Sequence, residues 1–200
     1  MGKSNRLGFA LSAAIMCTML LAATAAAQNT NSDSPGMNAG GGKMAMVGSA
    51  DRKFAMTAAM GGMAEVEMAR MALTKASSDA VKQYAQKMID DHTAANAELM
   101  QIASTKGIRL PTAPDAKHRA MMAKMGRLSG AEFDRQYIMM AGHKDHQKME
   151  KLFRDESMRG RDADLKAFAA KTLPVVQLHL QMARDLHGGM SGMKGMNHSN

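Results

Sequence analysis

Residues 81–102 read VKQYAQKMIDDHTAANAELMQI, and this segment decides the fold. Its apolar positions recur at alternating steps of four and three, which lays one stripe along a helix: Val81, Ala85, Met88, Ala95, Leu99 and Ile102. His92 falls on this stripe where the repeat calls for an apolar residue, and Asp91 lies beside it. A polar pair on a core-facing stripe needs partners, because burying an unsatisfied polar group costs free energy. The segment therefore predicts a long helix with a polar site at its middle.

The composition favours helices and narrows the function. The 200 residues include 24 Met, 5 Phe, 2 Tyr and no Trp, and Ala is abundant. Few aromatic and β-branched residues indicate helix rather than sheet. The net charge of +8 is spread among acidic residues without a basic cluster, so no nucleic-acid partner is expected. The single Cys17 lies in the N-terminal apolar run, which excludes disulfides and cysteine metal sites elsewhere.

Four segments are predicted along the chain. Residues 1–27 have the basic start, apolar run and small-residue end of a secretory signal peptide, with an uncleaved membrane anchor as the alternative. Residues 28–50 form a disordered leader rich in Gly, Asn and Met, and residues 188–200 a disordered tail rich in Met and His. Residues 51–187 form the folded domain. We therefore expect an exported protein, in the periplasm, with no stable membrane span after signal cleavage.

The folded domain is predicted to contain four long helices. The first spans residues 51–76, and the second runs from an N-cap at Ser77 or Ser78 to a stop at Gly107. The long link that follows, residues 107–128, contains a short helical run. Short links on either side of one long link are typical of an all-α, ferritin-like four-helix bundle with a crossover between helices 2 and 3.

The third and fourth helices carry their own boundary signals. Ser129 and Glu132 are spaced as a capping box at the start of the third helix, which ends near Gly160. The fourth helix spans residues 162–187 and is expected to be kinked or split at Pro174, because a mid-helix proline lacks a backbone donor. Gly188 is its predicted C-terminal stop.

Each long helix has one ionisable residue on its apolar stripe: Glu65, His92, His146 and His179. Each lies about fifteen residues from the start of its helix, or roughly 22 Å along the axis. This height is near the midpoint whichever way a helix runs. We therefore expect the four side chains to meet in one layer.

A layer of three imidazoles and a carboxylate is a candidate site for a transition metal ion, namely iron, manganese, zinc or copper. Asp91 and Asp145 precede two of the histidines and are candidates for supporting partners or direct ligands. His143 is a weaker candidate ligand. The alternative is a metal-free layer of buried hydrogen bonds that fixes the register of the helices.

Several short motifs resemble an exported bacterial family. They are residues 63–67 (MAEVE), 88–93 (MIDDHT) and 133–137 (FDRQY), together with the Asp-His pair at 145–146 and the Leu-Pro pair at 173–174. The chain resembles domain-of-unknown-function family 4142 over residues 51–186. That family is grouped with ferritin-like proteins, so the resemblance implies a four-helix bundle without an established activity. Di-iron carboxylate proteins carry Glu-Xaa-Xaa-His on two helices, and its absence from the second and fourth helices favours a single-metal or metal-free bundle.

The C-terminal tail is a second candidate metal site. It contains regularly spaced thioether and imidazole groups: His187, Met190, Met193, Met196 and His198. Soft thioether ligands suit Cu(I). A low-complexity tail without a ligand, or sacrificial oxidation of methionine, are the alternatives.

The sequence thus favours an exported bundle protein that binds a transition metal in metal handling or envelope stress resistance. A metal-dependent oxidoreductase and a metal-free structural or interaction module are the competing hypotheses. The sequence contains no nucleophile elbow, phosphate loop or dinucleotide fingerprint, so hydrolase and nucleotide chemistry are not expected.

Overall fold

A computed structural model describes residues 46–196, with side chains up to residue 191. It contains six α-helices and one π-helical segment: α1 (Ser49–Lys75), α2 (Asp79–Thr105), α3 (Ala116–Met125), α4 (Gly130–Tyr137), the π segment (Ile138–Asp145), α5 (His146–Arg159) and α6 (Ala163–Met196). Helix α4, the π segment and α5 follow one another without a break and form the third long helix, residues 130–159. Within the described residues there is no strand, so the predicted all-α class is confirmed.

The contacts at the two ends of the bundle give its topology. At one end, Asp51 of α1 accepts hydrogen bonds from the backbone N–H groups of Arg161 and Asp162, and Lys106 after α2 pairs with Asp162 at 2.8 Å. At the other end, Ser77 donates a 2.6 Å hydrogen bond to Asp134 of α4. Helices α1 and α6 therefore run one way, and α2 and the third long helix the other. The connection containing α3 must cross the length of the bundle, as expected for a ferritin-like fold.

The ends of α2 are well explained by its sequence. Ser78 is the N-cap, and its hydroxyl accepts a hydrogen bond from the Val81 N–H. At the other end Gly107 has a φ of 61°, and the N–H of Ile108 bonds to the carbonyl of Ala103. This is a Schellman arrangement, in which glycine takes the left-handed conformation and a following apolar residue packs back on the helix. Both predicted boundaries of α2 are confirmed.

The core consists of two apolar clusters. The first core cluster includes Met68, Tyr84, Met88, Phe133 and Tyr137. The second core cluster includes Phe54, Leu99, Phe153, Phe168 and Val176. Along their helices His92, His146 and His179 each fall between residues of the two clusters, and Glu65 lies at the edge of the first core cluster, next to Ala64. The layer therefore interrupts an otherwise apolar core at mid-height.

The third long helix differs from its prediction at both its start and its middle. It ends at Arg159, as expected, but Ser129 makes no side-chain capping bond within the described structure. Glu132 instead bonds to Arg135 and Gln136 on its own helix, and Gly130 turns the chain into the helix with a φ of 60°. The predicted capping box is therefore wrong. The π segment was not predicted.

Helix α6 also differs from its prediction. It continues through Pro174 without being split. Ala169 and Val176 are buried on either side of the proline, and this packing offsets the cost of about 3 kcal/mol for a proline in a helix. The predicted stop at Gly188 is wrong, since the helix extends to Met196. Glycine weakens a helix but does not by itself end it. The partly buried Met190, beyond Gly188, packs against the first core cluster, and this contact favours continuation of the helix.

The folded part begins slightly before residue 51. Val47 is buried in the second core cluster, and its carbonyl accepts a 3.0 Å hydrogen bond from the Arg52 side chain. The predicted signal peptide, residues 1–27, and most of the predicted leader lie outside the described residues. Among the helices that are described, none combines the length and apolar character needed to cross a bilayer.

Candidate metal centre

Three histidines from three helices converge at the middle of the bundle. His92, His146 and His179, here the histidine triad, each offer a ring nitrogen within 4.8 Å of the others. The distances between ring centroids are 5.6 Å for His92–His146, 5.3 Å for His92–His179 and 5.4 Å for His146–His179. His146 and His179 have no exposed surface, whereas His92 is half-buried. Three of the four expected members of the layer thus form one compact group.

The π segment positions His146. This residue is the first of α5, and its backbone N–H bonds to the carbonyl of His143. Its ring Nδ1 lies 2.9 Å from the carbonyl oxygen of Ala141, inside the π segment. A carbonyl can only accept, so Nδ1 carries the proton and donates it. The Nε2 atom of His146 is then left with a lone pair.

Asp91 positions His179. The Nε2 atom of His179 lies 2.7 Å from Oδ2 of Asp91, which also pairs with Lys87 at 2.9 Å. A carboxylate that is paired with a lysine accepts a proton rather than donating one, so Nε2–H of His179 is the donor and Nδ1 keeps a lone pair. Asp91 therefore supports a histidine of the triad, but the one on α6 rather than its neighbour His92.

Each histidine of the triad has one buried nitrogen without a hydrogen-bond partner among the described residues: Nε2 of His92, Nε2 of His146 and Nδ1 of His179. Buried polar atoms are nearly always paired, so three orphaned nitrogens in one place require an explanation. In metal sites the ligating histidine commonly donates its other N–H to a carboxylate or a backbone carbonyl. His146 and His179 both show this arrangement.

The environment keeps the triad neutral. Burial lowers the pKa of His146 from its ordinary value to about 4. The pKa of His92 is held well below its ordinary value by burial and by the nearby His146 and His179. Burial also lowers the pKa of His179, although Asp91 opposes this effect. At neutral pH the three rings are therefore in the form that binds metal ions.

Glu65 lies beside the triad without joining it. Its side chain is buried, with Oε1 3.8 Å from Nδ1 of His146 and Oε2 without a partner in the described part of the chain. Burial and the neighbouring Asp145 raise the pKa of the Glu65 carboxyl well above its ordinary value. The Glu65 carboxyl could therefore become an additional ligand only if its side chain moved closer to the triad.

The other predicted ligands lie further from the triad. Asp145 is buried, and its Oδ1 pairs with Lys148 at 2.8 Å, while its Oδ2 is unpartnered among the described residues. His143 is half-buried and faces Gln147 at 3.3 Å. Neither residue belongs to the group of side chains whose ligand atoms lie within 4.8 Å of one another.

The predicted tail site is only partly described. His187 and Met190 lie on the last turns of α6, where both are half-buried. The side chains of Met193 and Met196, and all of His198, lie outside the described residues. Copper binding by this segment stays a prediction.

Two tyrosines near the triad were not anticipated. Tyr84 and Tyr137 are fully buried, and their hydroxyls find no partner within the described structure. The Tyr84 ring lies 6.4 Å from the His179 ring. Burial and the nearby Glu65 raise the pKa of the Tyr84 hydroxyl. The sequence contained one indication of this position: Tyr84 lies one heptad before Asp91 and so occupies the same place in the heptad repeat.

The triad can hold one metal ion after an adjustment of its side chains. Nitrogen ligands about 2.1 Å from a tetrahedral ion lie roughly 3.4 Å apart, so nitrogens within 4.8 Å must approach one another by about 1.4 Å at most. Three protein ligands leave a fourth position open, as in catalytic zinc sites. The arrangement can therefore bind an ion and also leave it accessible to another ligand.

Comparison with known proteins identifies one family. Residues 36–186 match the family model described as Domain of unknown function (DUF4142), in agreement with the motifs in the sequence. No curated protein and no solved structure matches the chain.

Proposed function

Since this chain belongs to the DUF4142 family, whose description assigns no activity, we propose from the site itself that the protein binds one divalent transition metal ion through His92, His146 and His179. One observation carries this proposal. Each of the three histidines has a ring nitrogen within 4.8 Å of the others and one buried nitrogen without a partner among the described residues, while the opposite nitrogens of His146 and His179 are bound to oxygen acceptors.

The ligand chemistry favours some ions over others. Three imidazole nitrogens suit zinc, copper and iron, whereas manganese prefers carboxylate and water oxygen. Asp91 and Asp145 each already pair with a lysine through one oxygen, and Glu65, which has no such ion pair among the described residues, is the better candidate for an oxygen ligand. We therefore infer a site for zinc, copper or iron rather than manganese.

A metal-free hydrogen-bond layer is the competing function. Such a layer would fix helix register through hydrogen bonds between helices, and the bond from His179 to Asp91 is one of them. It would leave one buried nitrogen of each triad histidine without a partner among the described residues, and each unsatisfied buried group costs about 1–3 kcal/mol. A bound ion satisfies all three nitrogens at once.

The proposed cellular role follows from the N-terminal sequence. Residues 1–27 have the pattern of a secretory signal, so we place the protein in the periplasm, with a role in metal handling or envelope stress resistance. An oxidoreductase role would use the open coordination position, and turnover with peroxide, superoxide or Fe(II) would distinguish it from simple binding.

Metal content tests the proposed function. Protein purified without an affinity tag is stripped with a chelator, loaded with Zn²⁺, dialysed and analysed by plasma mass spectrometry. We expect one ion per chain in the wild type and in the control His143→Ala, and none in His146→Ala. Circular dichroism of the stripped proteins checks that His146→Ala is folded. A wild type without stoichiometric metal, or equal metal content in folded His146→Ala, would overturn the proposal.

A further inference from the structure

The crossover connection collects positive charge around α3. Residues 109–127 contain five Lys or Arg residues and a single acidic residue, Asp115. All five basic side chains are exposed. Four of them lie on α3 or directly after it and are here called the basic face: Lys117, Arg119, Lys124 and Arg127. In the sequence they are separated by uncharged residues and do not form a run, but the folded helix places them together.

Helix α3 is amphipathic, and its methionines fix it to the bundle. Met125 is buried in the first core cluster, and Met121 and Met122 pack against that cluster. Lys117 and Lys124 are seven residues apart and so share one side of the helix, opposite these methionines. The exposed residues between the basic ones are alanines: Ala116, Ala120 and Ala123. The bundle therefore holds α3 with its basic face turned to solvent.

The charge of the basic face is not compensated. None of its four members forms an ion pair within the described residues. Asp115 caps the first turn of α3 and pairs with His118 at 2.9 Å. Glu132, to which Lys124 is attracted, bonds to Arg135 on its own helix. The basic face is therefore free to bind an anionic partner.

The chemistry of the basic face favours an anionic lipid surface over a nucleic acid. Lys and Arg residues near an anionic bilayer are attracted to its headgroups at short range. Proteins that bind single-stranded nucleic acids add aromatic rings on which bases stack, whereas every Phe and Tyr side chain of the described part is buried. Export, as residues 1–27 predict, would also separate the chain from nucleic acids in the cytoplasm.

We propose that the basic face of α3 docks the protein on a membrane surface that contains anionic lipids. This interaction goes beyond the proposed function and does not depend on a bound metal ion. The ammonium and guanidinium groups donate hydrogen bonds to the phosphate oxygens of the headgroups. The docking is peripheral, because the alanines between the basic residues provide no large apolar side chain for insertion among the acyl chains.

Sedimentation of the intact protein with lipid vesicles tests this inference. One set of vesicles contains phosphatidylglycerol mixed with phosphatidylcholine, and the other contains phosphatidylcholine alone. We expect a higher affinity for the first set, and we expect added salt to weaken that binding because it screens the charges. Equal affinity for the two sets, or binding to the anionic vesicles that salt does not weaken, would overturn the inference.

Removing three charges from the basic face locates the contact. The triple variant combines Lys117→Gln, Lys124→Gln and Arg127→Gln, all at exposed positions where the change should not disturb the fold. Each Lys or Arg near an anionic surface contributes about fivefold to the affinity, so we expect roughly 100-fold weaker binding to the anionic vesicles. Circular dichroism checks that the triple variant is folded. An affinity equal to that of the wild type would contradict the proposal.

The matched control removes three charges from another part of the surface. It combines Lys151→Gln, Arg154→Gln and Lys171→Gln, at exposed positions whose side chains pair with acidic residues. The net charge of the control equals that of the triple variant, but its affinity for the anionic vesicles should stay close to that of the wild type. An equal loss of affinity in the two variants would show that binding follows net charge, and the assignment to α3 would then be wrong.

A DNA duplex, measured at the same salt concentration, tests the other class of polyanion. We expect the triple variant to lose more affinity for the anionic vesicles than for the duplex. The reverse result, with the larger loss on the duplex, would assign the basic face to nucleic acid and overturn the inference.

Discussion

At the residue scale, the site depends on which nitrogen of each imidazole is occupied. His179 shares Asp91 with Lys87, and His146 donates to the carbonyl of Ala141, so each ring keeps its lone pair on the other, buried nitrogen. Their orientation therefore comes from oxygen acceptors on neighbouring segments. Removing an acceptor should weaken metal binding without removing a ligand.

Asp91→Ala should weaken the affinity for Zn²⁺ by about 10–100-fold, because His179 loses the acceptor that fixes its ring. Isothermal titration calorimetry measures the change. The matched control is Asp90→Ala, since Asp90 is exposed and bonds only to Gln86 among the described residues. An Asp91→Ala affinity equal to that of the control would show that Asp91 does not position His179.

Glu156 should make the protein less stable as the pH rises. Burial and the nearby Asp51 and Asp162 raise the pKa of Glu156 from 4.5 to about 7 in the folded protein. Between about pH 4.5 and pH 7 the folded state therefore keeps a proton that the unfolded state has lost, and stability falls through this window. Thermal unfolding should show that Glu156→Gln gains stability over the wild type as the pH increases.

The control for this experiment is Glu67→Gln on the exposed face of α1. Its stability difference from the wild type should not grow across the same pH window. If Glu156→Gln and the control follow the same pH profile, Glu156 is not protonated in the folded protein near neutral pH.

The sequence predicted the residues of the site better than their roles. His92, His146 and His179 interrupt apolar stripes, and a stripe can be read directly from spacing. Spacing contains no information on ring orientation, so the acceptor role of the Ala141 carbonyl could not be predicted. Glu65 satisfies the same pattern, yet its carboxyl lies beside the triad because its side-chain conformation depends on contacts between helices.

At the scale of the element, the π segment brings the third long helix close to α6. Gly142 lies in this segment, and a Cβ atom there would come within 2.8 Å of Cβ of Ala183 and 3.3 Å of the Tyr84 hydroxyl. Real Cβ atoms do not approach so closely, and Ala183 has no flexible end that could move away. The two backbones therefore depend on glycine at this position.

Gly142→Ala should destabilise the protein by about 1–3 kcal/mol, because the added methyl group overpacks the contact with α6. Urea unfolding of the metal-free protein measures this. Gly189→Ala is the matched control in an exposed part of α6, where the same change should be neutral or should stabilise by up to about 1 kcal/mol. Equal stabilities of the two variants would contradict the close packing at Gly142.

The predicted helix ends were confirmed where they depend only on neighbouring residues. Gly107 and Ser78 end and begin α2 through backbone geometry that depends on a few neighbouring residues. The signal at Gly188 failed because packing on the core decides whether α6 continues, and of the kink or split expected at Pro174 the split did not occur. The π segment has no recognisable composition, so its change of hydrogen-bond register could not be predicted from spacing.

At the scale of the whole molecule, the polar layer separates two apolar clusters. Each of the four long helices contributes residues to both clusters. The polar atoms of the layer between the clusters therefore affect the stability of the whole core. Several buried polar atoms in and around this layer have no hydrogen-bond partner within the described residues. Binding of an ion should therefore stabilise the entire bundle.

Zn²⁺ should raise the thermal stability of the wild type, by about 2.7 kcal/mol at a free concentration of 100 times Kd. Differential scanning calorimetry at increasing Zn²⁺ concentration measures this shift. His143→Ala should respond like the wild type, and His146→Ala should not respond. Equal stabilisation of both variants would place the zinc site elsewhere in the chain.

The overall architecture was largely predictable from link lengths. A short link, a long link and a short link between four amphipathic helices allow few arrangements, and the ferritin-like crossover is one of them. The heights of the four polar residues could also be predicted, because residue counts along a helix convert directly to distance. Whether the histidine side chains come close enough together to bind one ion depends on packing between the helices. Residue spacing does not determine that packing.

A crystal structure of the zinc-loaded protein, with anomalous data collected at the zinc edge, would test directly whether the histidine triad binds a metal ion. We expect one anomalous peak per chain, about 2.0–2.1 Å from Nε2 of His92, Nε2 of His146 and Nδ1 of His179. Ordered electron density for the triad without an anomalous peak between the three rings, or a peak only at other residues, would contradict it.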